Sequence, residues 1–257
     1  MKIVRTVAEM RDVRPVSGTV GLVPTMGALH PGHVSLLDAA GAECDFVVSS
    51  LFVNEAQFAA GEDFAHYPRN EERDARIADE AGADVLFAPS SDELYPAGFQ
   101  TWVDVEELGK PLEGEFRPGH FRGVATVCLK LFNIVRPDRA YFGQKDAQQV
   151  VALRRMISDL NVDVDLRVLP TVRDMDGLAF SSRNAYLTPQ ERERARVLPR
   201  ALETGDPARA RALLADAGVD TDYVDVLDDG RARVLVGAIR VGSTRLIDNV
   251  PLEGETR

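Results

Sequence analysis

The sequence predicts an α/β protein with a doubly wound parallel sheet, followed by a small α+β domain. Short runs rich in apolar and β-branched residues alternate with helical patterns over the first two thirds of the chain. These runs are apolar on both faces, which is typical of buried parallel strands. The later part instead reads as short helices and then strands joined by glycine-containing turns. We therefore predict two domains, residues 1–173 and 174–257.

The elements of the first domain follow from these patterns in chain order. Strands are predicted at 19–23, 45–53, 83–89, 101–105, 139–143 and 162–170, and helices from Pro31 onward and at 69–82, 123–135 and 147–160. A sheet of this kind binds its ligand beyond the carboxyl ends of its strands. Functional residues are therefore expected in the loops that follow the strands.

The second domain begins with recognisable helix signals. Thr188 is a predicted N-cap, with Pro189 at the first helical position and Glu191 completing a capping box. The charged run at 191–200 is interpreted as a solvated helix face, and a second short helix is predicted at 207–218. Residues 222–250 read as antiparallel strands around glycine turns.

Composition limits the possible functions. The 257 residues carry 30 Lys and Arg against 41 Asp and Glu, a net charge of −11. This acidity disfavours nucleic-acid binding but leaves room for a local phosphate pocket. No apolar run reaches the roughly 20 residues that span a bilayer. Cys44 and Cys128 are interpreted as buried thiols, so we expect a cytoplasmic protein without nucleic-acid or membrane partners.

The segment at residues 23–40, VPTMGALHPGHVSLLDAA, places two of the chain's four histidines at the start of a helix. Its glycines allow the backbone to approach a ligand, and the helix N-terminus offers N–H groups and a positive dipole end. Neutral imidazole N–H groups of His30 and His33 suit a phosphate at this position. The familiar phosphate loops G-x-G-x-x-G and G-x-x-x-x-G-K-[ST] are absent from the sequence.

Two other interpretations of this segment exist. His30 and His33 could be zinc ligands, but no third and fourth ligand at suitable spacing accompanies them. They could also cap the helix without taking part in any chemistry. Further polar residues favour a ligand site, because Lys145 and Asp146 follow a strand and Ser181, Ser182 and Arg183 lie near the domain boundary. Together these groups suit a nucleoside triphosphate that loses pyrophosphate.

Six longer motifs follow one another along the chain: PTMGALHPGH, FVNEAQF, GEDFAHYPR, FRPGHFRGVATVCLKLFNIVRPDRAYFGQKDAQQ, PTVRDMDGLAFSSRNAYL and GSTRLIDNV. Through these motifs the sequence resembles the pantothenate synthetase (pantoate–β-alanine ligase) family of the HxGH nucleotidyltransferases. The resemblance implies a Rossmann-like ATP-binding domain, a small C-terminal lid domain and a homodimer. It also implies that ATP and (R)-pantoate form pantoyl adenylate and pyrophosphate, after which β-alanine releases AMP and pantothenate.

The resemblance further implies site residues. His33 and Lys145 would be catalytic. Gln57 and Gln149 would bind pantoate, and Gln57 would also serve β-alanine. The ATP-binding residues would be Met26, Gly27, Ala28, Leu29, His30, Pro31, Gly32, His33, Gly143, Gln144, Lys145, Asp146, Val172, Phe180, Ser181, Ser182 and Arg183. Mg²⁺ would be carried on the phosphates of ATP, without direct protein ligands.

Other functions remain open from the sequence. The nearest is another HxGH-type nucleotidyltransferase, such as a cytidylyltransferase, although that class lacks the FVNxxQF motif. An aminoacyl-tRNA synthetase shares the adenylation chemistry, and a non-catalytic nucleotide sensor would share the binding site. Pro31, Glu55, Gln144 and Phe180 depart from the family pattern, and we expect these changes to affect affinity more than the reaction.

Overall fold

A computed structural model of the protein describes residues 1–59 and 61–252. The chain divides into two compact units. The first comprises Met1–Phe142 and Gln149–Leu169; the second comprises Gly143–Gln148 and Pro170–Arg257, of which residues up to 252 are described. The domain division at 173/174 stays a prediction.

The first unit contains a six-stranded sheet in the order β1-β4-β3-β2-β5-β6. Its strands are β1 Lys2–Val4, β2 Val20–Thr25, β3 Phe46–Leu51, β4 Val85–Phe87, β5 Arg139–Gly143 and β6 Asp165–Leu169. The pairs β1–β4, β4–β3, β3–β2 and β2–β5 are parallel. The strand order reverses between β2 and β5, which is the position where open α/β sheets bind ligands.

Helices cover both faces of this sheet. They are α1 Val7–Val13, α2 Pro31–Glu43, α3 Glu71–Glu80, α4 Ser91–Leu94, α5 Glu113–Phe116, α6 His120–Val135 and α7 Ala147–Asp159. One apolar core joins the sheet to α1, α6 and α7, and a second joins it to α2 and α3. The predicted doubly wound parallel sheet is therefore confirmed, whereas β1 and α1 were not predicted.

The strand predicted at 101–105 is wrong. Residues 101–105 have no regular structure, although Val105 is buried as an alternating pattern would suggest. The N–H of Val103 donates to Thr126 Oγ1 on α6 at 3.0 Å. A side chain of a neighbouring helix thus satisfies the backbone group that a strand would direct to another strand.

The second unit has its own core and its own sheet. Helices α8 Pro189–Ala195, α9 Val197–Leu202 and α10 Pro207–Asp216 pack against three antiparallel strands, β7 Asp220–Asp228, β8 Arg233–Val241 and β9 Thr244–Pro251. The predicted capping box is confirmed: the Thr188 hydroxyl accepts from Glu191 N, and the Glu191 carboxylate accepts from Thr188 N. The small α+β arrangement is confirmed as well.

The solvated face expected at 191–200 is only partly correct. Ala195, Leu198 and Pro199 are buried, and the chain divides here into α8 and α9. The break occurs at Arg196. Pro199, three residues later, has no N–H to donate to the carbonyl of Ala195, and its ring crowds that carbonyl, so one continuous helix cannot form.

Cys44 and Cys128 are free thiols, and burial raises the pKa of Cys128 to about 12. No helix in residues 1–59 and 61–252 is long and apolar enough to span a bilayer.

Candidate active site

The loop between β2 and α2 is a left-handed turn at the carboxyl end of the sheet. Gly27 has a φ of +87° and Ala28 a φ of +50°. A Cβ atom at Gly27 would lie 2.8 Å from Leu51 Cδ1 and 2.9 Å from Asp74 Oδ2. Glycine is therefore required at position 27 both for its backbone angle and for space. The turn leads into His30, which is the extended N-cap residue of α2.

A buried carboxylate from α3 holds this turn. Asp74 is 1% exposed and accepts hydrogen bonds from the N–H groups of Ala28 and Leu29, each at 2.8 Å. Arg73 donates to Leu29 O at 3.0 Å and lies 3.3 Å from the Asp74 carboxylate. The amides of Ala28 and Leu29 thus bind an internal anion. Sequence reasoning missed Asp74, because it is one of several acidic residues in the first turn of a surface helix.

His30 and His33 lie against each other. Their rings stack with centroids 4.0 Å apart, and His30 N donates to His33 Nδ1 at 3.3 Å. Because Nδ1 of His33 accepts a hydrogen bond, the ring proton of the neutral imidazole lies on Nε2. The helix start therefore presents an imidazole N–H donor whose tautomer is set by the backbone. This matches the chemistry expected for a phosphate at the N-terminus of α2.

Gln57 lies in the 3₁₀ turn Glu55–Gln57 and is buried. Its Nε2 donates to Met26 Sδ at 2.8 Å, so the structure brings two predicted site residues together. Asn54 Nδ2 donates to Gln57 Oε1 at 3.2 Å and to Gly123 O at 3.1 Å. The turn rests on α6 at Gly123, where a Cβ atom would lie 2.3 Å from Ala56 O. Gln149 is half-buried and lies near the start of α7 in the same unit.

A histidine and an arginine support the same turn from α6 and the segment before it. His120 Nδ1 donates to Gln57 O at 2.8 Å, and Arg117 Nη1 donates to His120 Nε2 at 3.1 Å. Arg117 is also paired with Glu62 at 2.8 Å. Both ring nitrogens of His120 are therefore engaged as a neutral imidazole. Burial, followed by the charge of Arg117, lowers the pKa of His120 from 6.5 to about 4.

This neutral histidine predicts a pH dependence of stability. The unfolded imidazole binds a proton near pH 6.5, whereas the folded one does so only near pH 4. The stabilisation is therefore complete above pH 6.5 and is lost as the pH falls to 4, by about 3 kcal/mol. Urea unfolding at pH 7, 5.5 and 4 should show this loss in the wild type. His120→Asn, which keeps a donor for Gln57 O but cannot titrate, should show less of it. Equal losses in both proteins would contradict this account.

The second unit carries the remaining predicted residues in two segments. Gly143 ends β5, and Gln144–Asp146 form a 3₁₀ turn in which Lys145 Nζ lies 3.6 Å from Asp146 Oδ1. The lysine side chain is 18% exposed, so most of it is withdrawn from solvent. The charge of Lys145 thus lies on a short turn beside the carboxylate of Asp146.

The other segment joins Val172 to residues 180–183. Phe180 N donates to Val172 O at 3.0 Å, and Arg173 pairs with Ala179 as an antiparallel bridge. Ser181 Oγ accepts from Arg183 N at 3.3 Å, at the start of the 3₁₀ helix Ser182–Tyr186. The structure therefore brings Val172 and Phe180 together, with the hydroxyls and the arginine next to them in the chain. No group of three or more His, Cys, Asp or Glu side chains among the described residues is arranged to hold a metal ion.

Comparison with known proteins identifies the family. The model of the family described as Pantoate-beta-alanine ligase matches residues 2–251. The chain is 51% identical to a pantothenate synthetase from Heliobacterium modesticaldum, covering 98% of this chain and all of that protein, and 48% identical to one from Geobacter sulfurreducens, covering 99% and 100%.

Comparison with solved structures leads to the same family. Pantothenate synthetase from Thermus thermophilus has a TM-score of 0.92 at 46% identity, covering 97% of this chain and 99% of that one. Pantoate-beta-alanine ligase from Francisella tularensis, in a complex with beta-gamma ATP and beta-alanine, has a TM-score of 0.90 at 34% identity over the whole of both chains. Because the match spans both units and includes the HPGH and FVNxxQF segments, this chain belongs to the pantoate–β-alanine ligase family.

Proposed function

We propose that this protein uses ATP to condense (R)-pantoate with β-alanine, with pantoyl adenylate as the intermediate. The observation that carries the proposal is the family match over residues 2–251, which contains the histidine pair at the start of α2. Relatives that the match covers over their whole length bear the name pantothenate synthetase. The product, pantothenate, is the precursor from which coenzyme A is built.

The first step forms a bond between a pantoate carboxylate oxygen and the α-phosphorus of ATP and breaks the bond to the β-phosphate oxygen. Two anions must approach each other, so nearby donors and positive charge have to offset their repulsion. We propose that His33 donates from Nε2 and that Lys145 supplies positive charge as pyrophosphate leaves. Mg²⁺ carried on the phosphates would neutralise part of the charge of the triphosphate.

The proposed ATP-binding residues are Met26, Gly27, Ala28, Leu29, His30, Pro31, Gly32, His33, Gly143, Gln144, Lys145, Asp146, Val172, Phe180, Ser181, Ser182 and Arg183. Within this set, the N–H groups of Ala28 and Leu29 already donate to Asp74. These two residues are therefore proposed to contribute through the conformation of the turn and not through hydrogen bonds from their N–H groups.

Gln57 and Gln149 are proposed to bind pantoate. A carboxamide can both donate and accept, so it can hold hydroxyl and carboxylate groups without neutralising the nucleophile. Gln57 fits this role because its amide is held by Asn54 and its backbone carbonyl by His120. In the second step the amine of β-alanine attacks the acyl carbon, AMP leaves, and the amine loses a proton. Gln57 is proposed to serve β-alanine as well.

The order of these steps gives a direct test. Because the adenylate precedes the amide, exchange of labelled pyrophosphate into ATP should require pantoate but not β-alanine. AMP should accumulate in multiple turnovers only when all three substrates are present. CTP should not replace ATP. Exchange with β-alanine alone, or efficient turnover of CTP, would overturn the proposed function.

We also propose that the enzyme works in the cytoplasm as a homodimer. The support for both is the resemblance to the family, together with the free thiols of Cys44 and Cys128 for a reducing compartment. Sedimentation velocity at micromolar protein would test the dimer. A monomer throughout that range would contradict this part of the proposal.

A further inference from the structure

Asn249, on β9, holds the turn that carries Lys145. Asn249 is 2% exposed, and its Nδ2 donates to Gln144 O and to Lys145 O, both at 2.8 Å. Its Oδ1 accepts from Gln144 Nε2 at 3.3 Å. A single side-chain amide thus binds two consecutive carbonyl groups of a 3₁₀ turn. Of the short side chains, only a carboxamide can donate twice from one atom in this way.

Asn249 is itself held by an ion pair whose carboxylate is buried. Its N–H donates to Asp248 Oδ1 at 2.8 Å, and its carbonyl accepts from Arg173 Nη2 at 3.2 Å. Arg173 binds both carboxylate oxygens of Asp248, at 2.6 and 3.0 Å. The Asp248 side chain is 2% exposed, so its carboxylate depends on Arg173 and on the N–H of Asn249 for its hydrogen bonds. The ion pair therefore binds both the N–H and the carbonyl of Asn249.

Arg173 continues the connection to the other predicted ATP segment. Its Nη1 donates to Gly177 O at 3.1 Å, and its backbone bridges to Ala179. Val172, the preceding residue, accepts from Phe180 N. One network of hydrogen bonds within the second unit thus links the Lys145 turn with Val172 and with the start of residues 180–183.

We propose that Asn249, Asp248 and Arg173 are positioning residues for ATP adenylation. They hold the Lys145 turn and the Val172–Arg183 segment in one fixed arrangement, and they do not themselves touch the reacting atoms. This inference rests on the proposed function. Its physical basis is that misplacing a reacting or charge-bearing group by about 1 Å can lower a rate by about 10²-fold.

Asn249→Asp is the sharpest test, because it keeps the shape of the side chain while replacing the donating NH₂ with oxygen. Oxygen atoms would then face the carbonyls of Gln144 and Lys145 and repel them. The kcat of pantoate-dependent ATP–pyrophosphate exchange should fall by about 10- to 100-fold. The KM for pantoate should change less than twofold, since Gln57 and Gln149 belong to the first unit.

Asp222→Asn is the matched control. Asp222 is a nearly buried carboxylate on β7 of the same sheet, paired with Arg240 and Arg245. It should lower the melting temperature without lowering kcat, and it thereby separates loss of stability from loss of positioning. If Asn249→Asp does not fold, Asn249→Ala can be compared with Asp222→Asn instead. It removes the Nδ2 donors of Asn249 without adding a charge.

The outcomes separate the two proposals. A wild-type protein without pantoate-dependent exchange would overturn the proposed function. A wild-type protein with exchange, together with Asn249 variants that exchange at the wild-type rate or lose no more kcat than Asp222→Asn, would overturn the positioning role alone. Failure of both Asn249 variants to fold would also overturn it and assign Asn249 to stability.

Discussion

His33→Asn is expected to lower pantoate-dependent ATP–pyrophosphate exchange by about 10²–10³-fold, the usual effect of removing one preorganised donor at a reacting phosphate. The side-chain oxygen of asparagine can take the place of Nδ1 and accept from His30 N. It has no counterpart of Nε2. This variant therefore removes the proposed donor while keeping the backbone contact at the start of α2.

His33→Ala removes both functions and should lower the rate to the same extent, with an additional loss of stability of about 1 kcal/mol. Lys145→Ala should also lose about 10²–10³ in rate. Lys110→Ala serves as its control, because Lys110 is exposed and pairs only with Glu107 among the ion pairs described for it. Thermal melts and exchange rates measured on the same preparations decide the matter. A His33→Ala protein that is less stable but exchanges at a normal rate, beside a His33→Asn protein that exchanges normally, would mean that His33 is only a helix cap.

Gly123→Ala should have the second large effect. A Cβ atom here would lie 2.3 Å from Ala56 O and 2.6 Å from Gln57 N, which are backbone atoms that cannot rotate away. The turn Glu55–Gln57 must therefore move off α6. We expect the free energy of unfolding to fall by about 1–3 kcal/mol. The KM for pantoate should rise by about 10- to 100-fold, because Gln57 moves with its turn.

Gly41→Ala is the control for this substitution. Gly41 also lies inside a helix, α2, but a Cβ atom there would meet nothing within 4 Å. Alanine should stabilise this position by about 0.5–1 kcal/mol and leave the kinetics unchanged. Urea unfolding and pantoate saturation curves on the two variants separate crowding of the turn from helix propensity. A normal KM for pantoate in Gly123→Ala would show that Gln57 does not bind pantoate in the proposed way.

Much of the fold could be predicted because its signals are local. The start of α2 at Pro31 and the capping box at Thr188 depend on residues within one helical turn, and both are confirmed. The strand at 101–105 was wrong because its alternating pattern reports burial, whereas the partner of Val103 N is a side chain 23 residues away. Local pattern thus indicates which residues are buried without indicating what their backbone groups contact.

The candidate site shows the same difference. The histidine pair could be found from spacing and from a resemblance. Asp74 and Asn249 could not, because each acts on backbone atoms far away in the sequence: Asp74 on an amide 46 residues earlier, and Asn249 on a carbonyl 104 residues earlier. The residues that flank an aspartate in a charged helix, or an asparagine in a strand, do not indicate such contacts. Only tertiary structure distinguishes them from their neighbours.

The carboxylate of Asp74 has a consequence for substrate binding. Ordering a backbone residue costs roughly 1–2 kcal/mol of conformational entropy, and the left-handed turn at Gly27 and Ala28 would be costly to order upon binding. Because Asp74 fixes the turn within the folded protein, that cost belongs to folding and is absent from the affinity for nucleotide. Asp74 on α3 thereby contributes to nucleotide affinity through the shape of the turn. Changes that loosen α3 would weaken nucleotide binding even where the protein still folds.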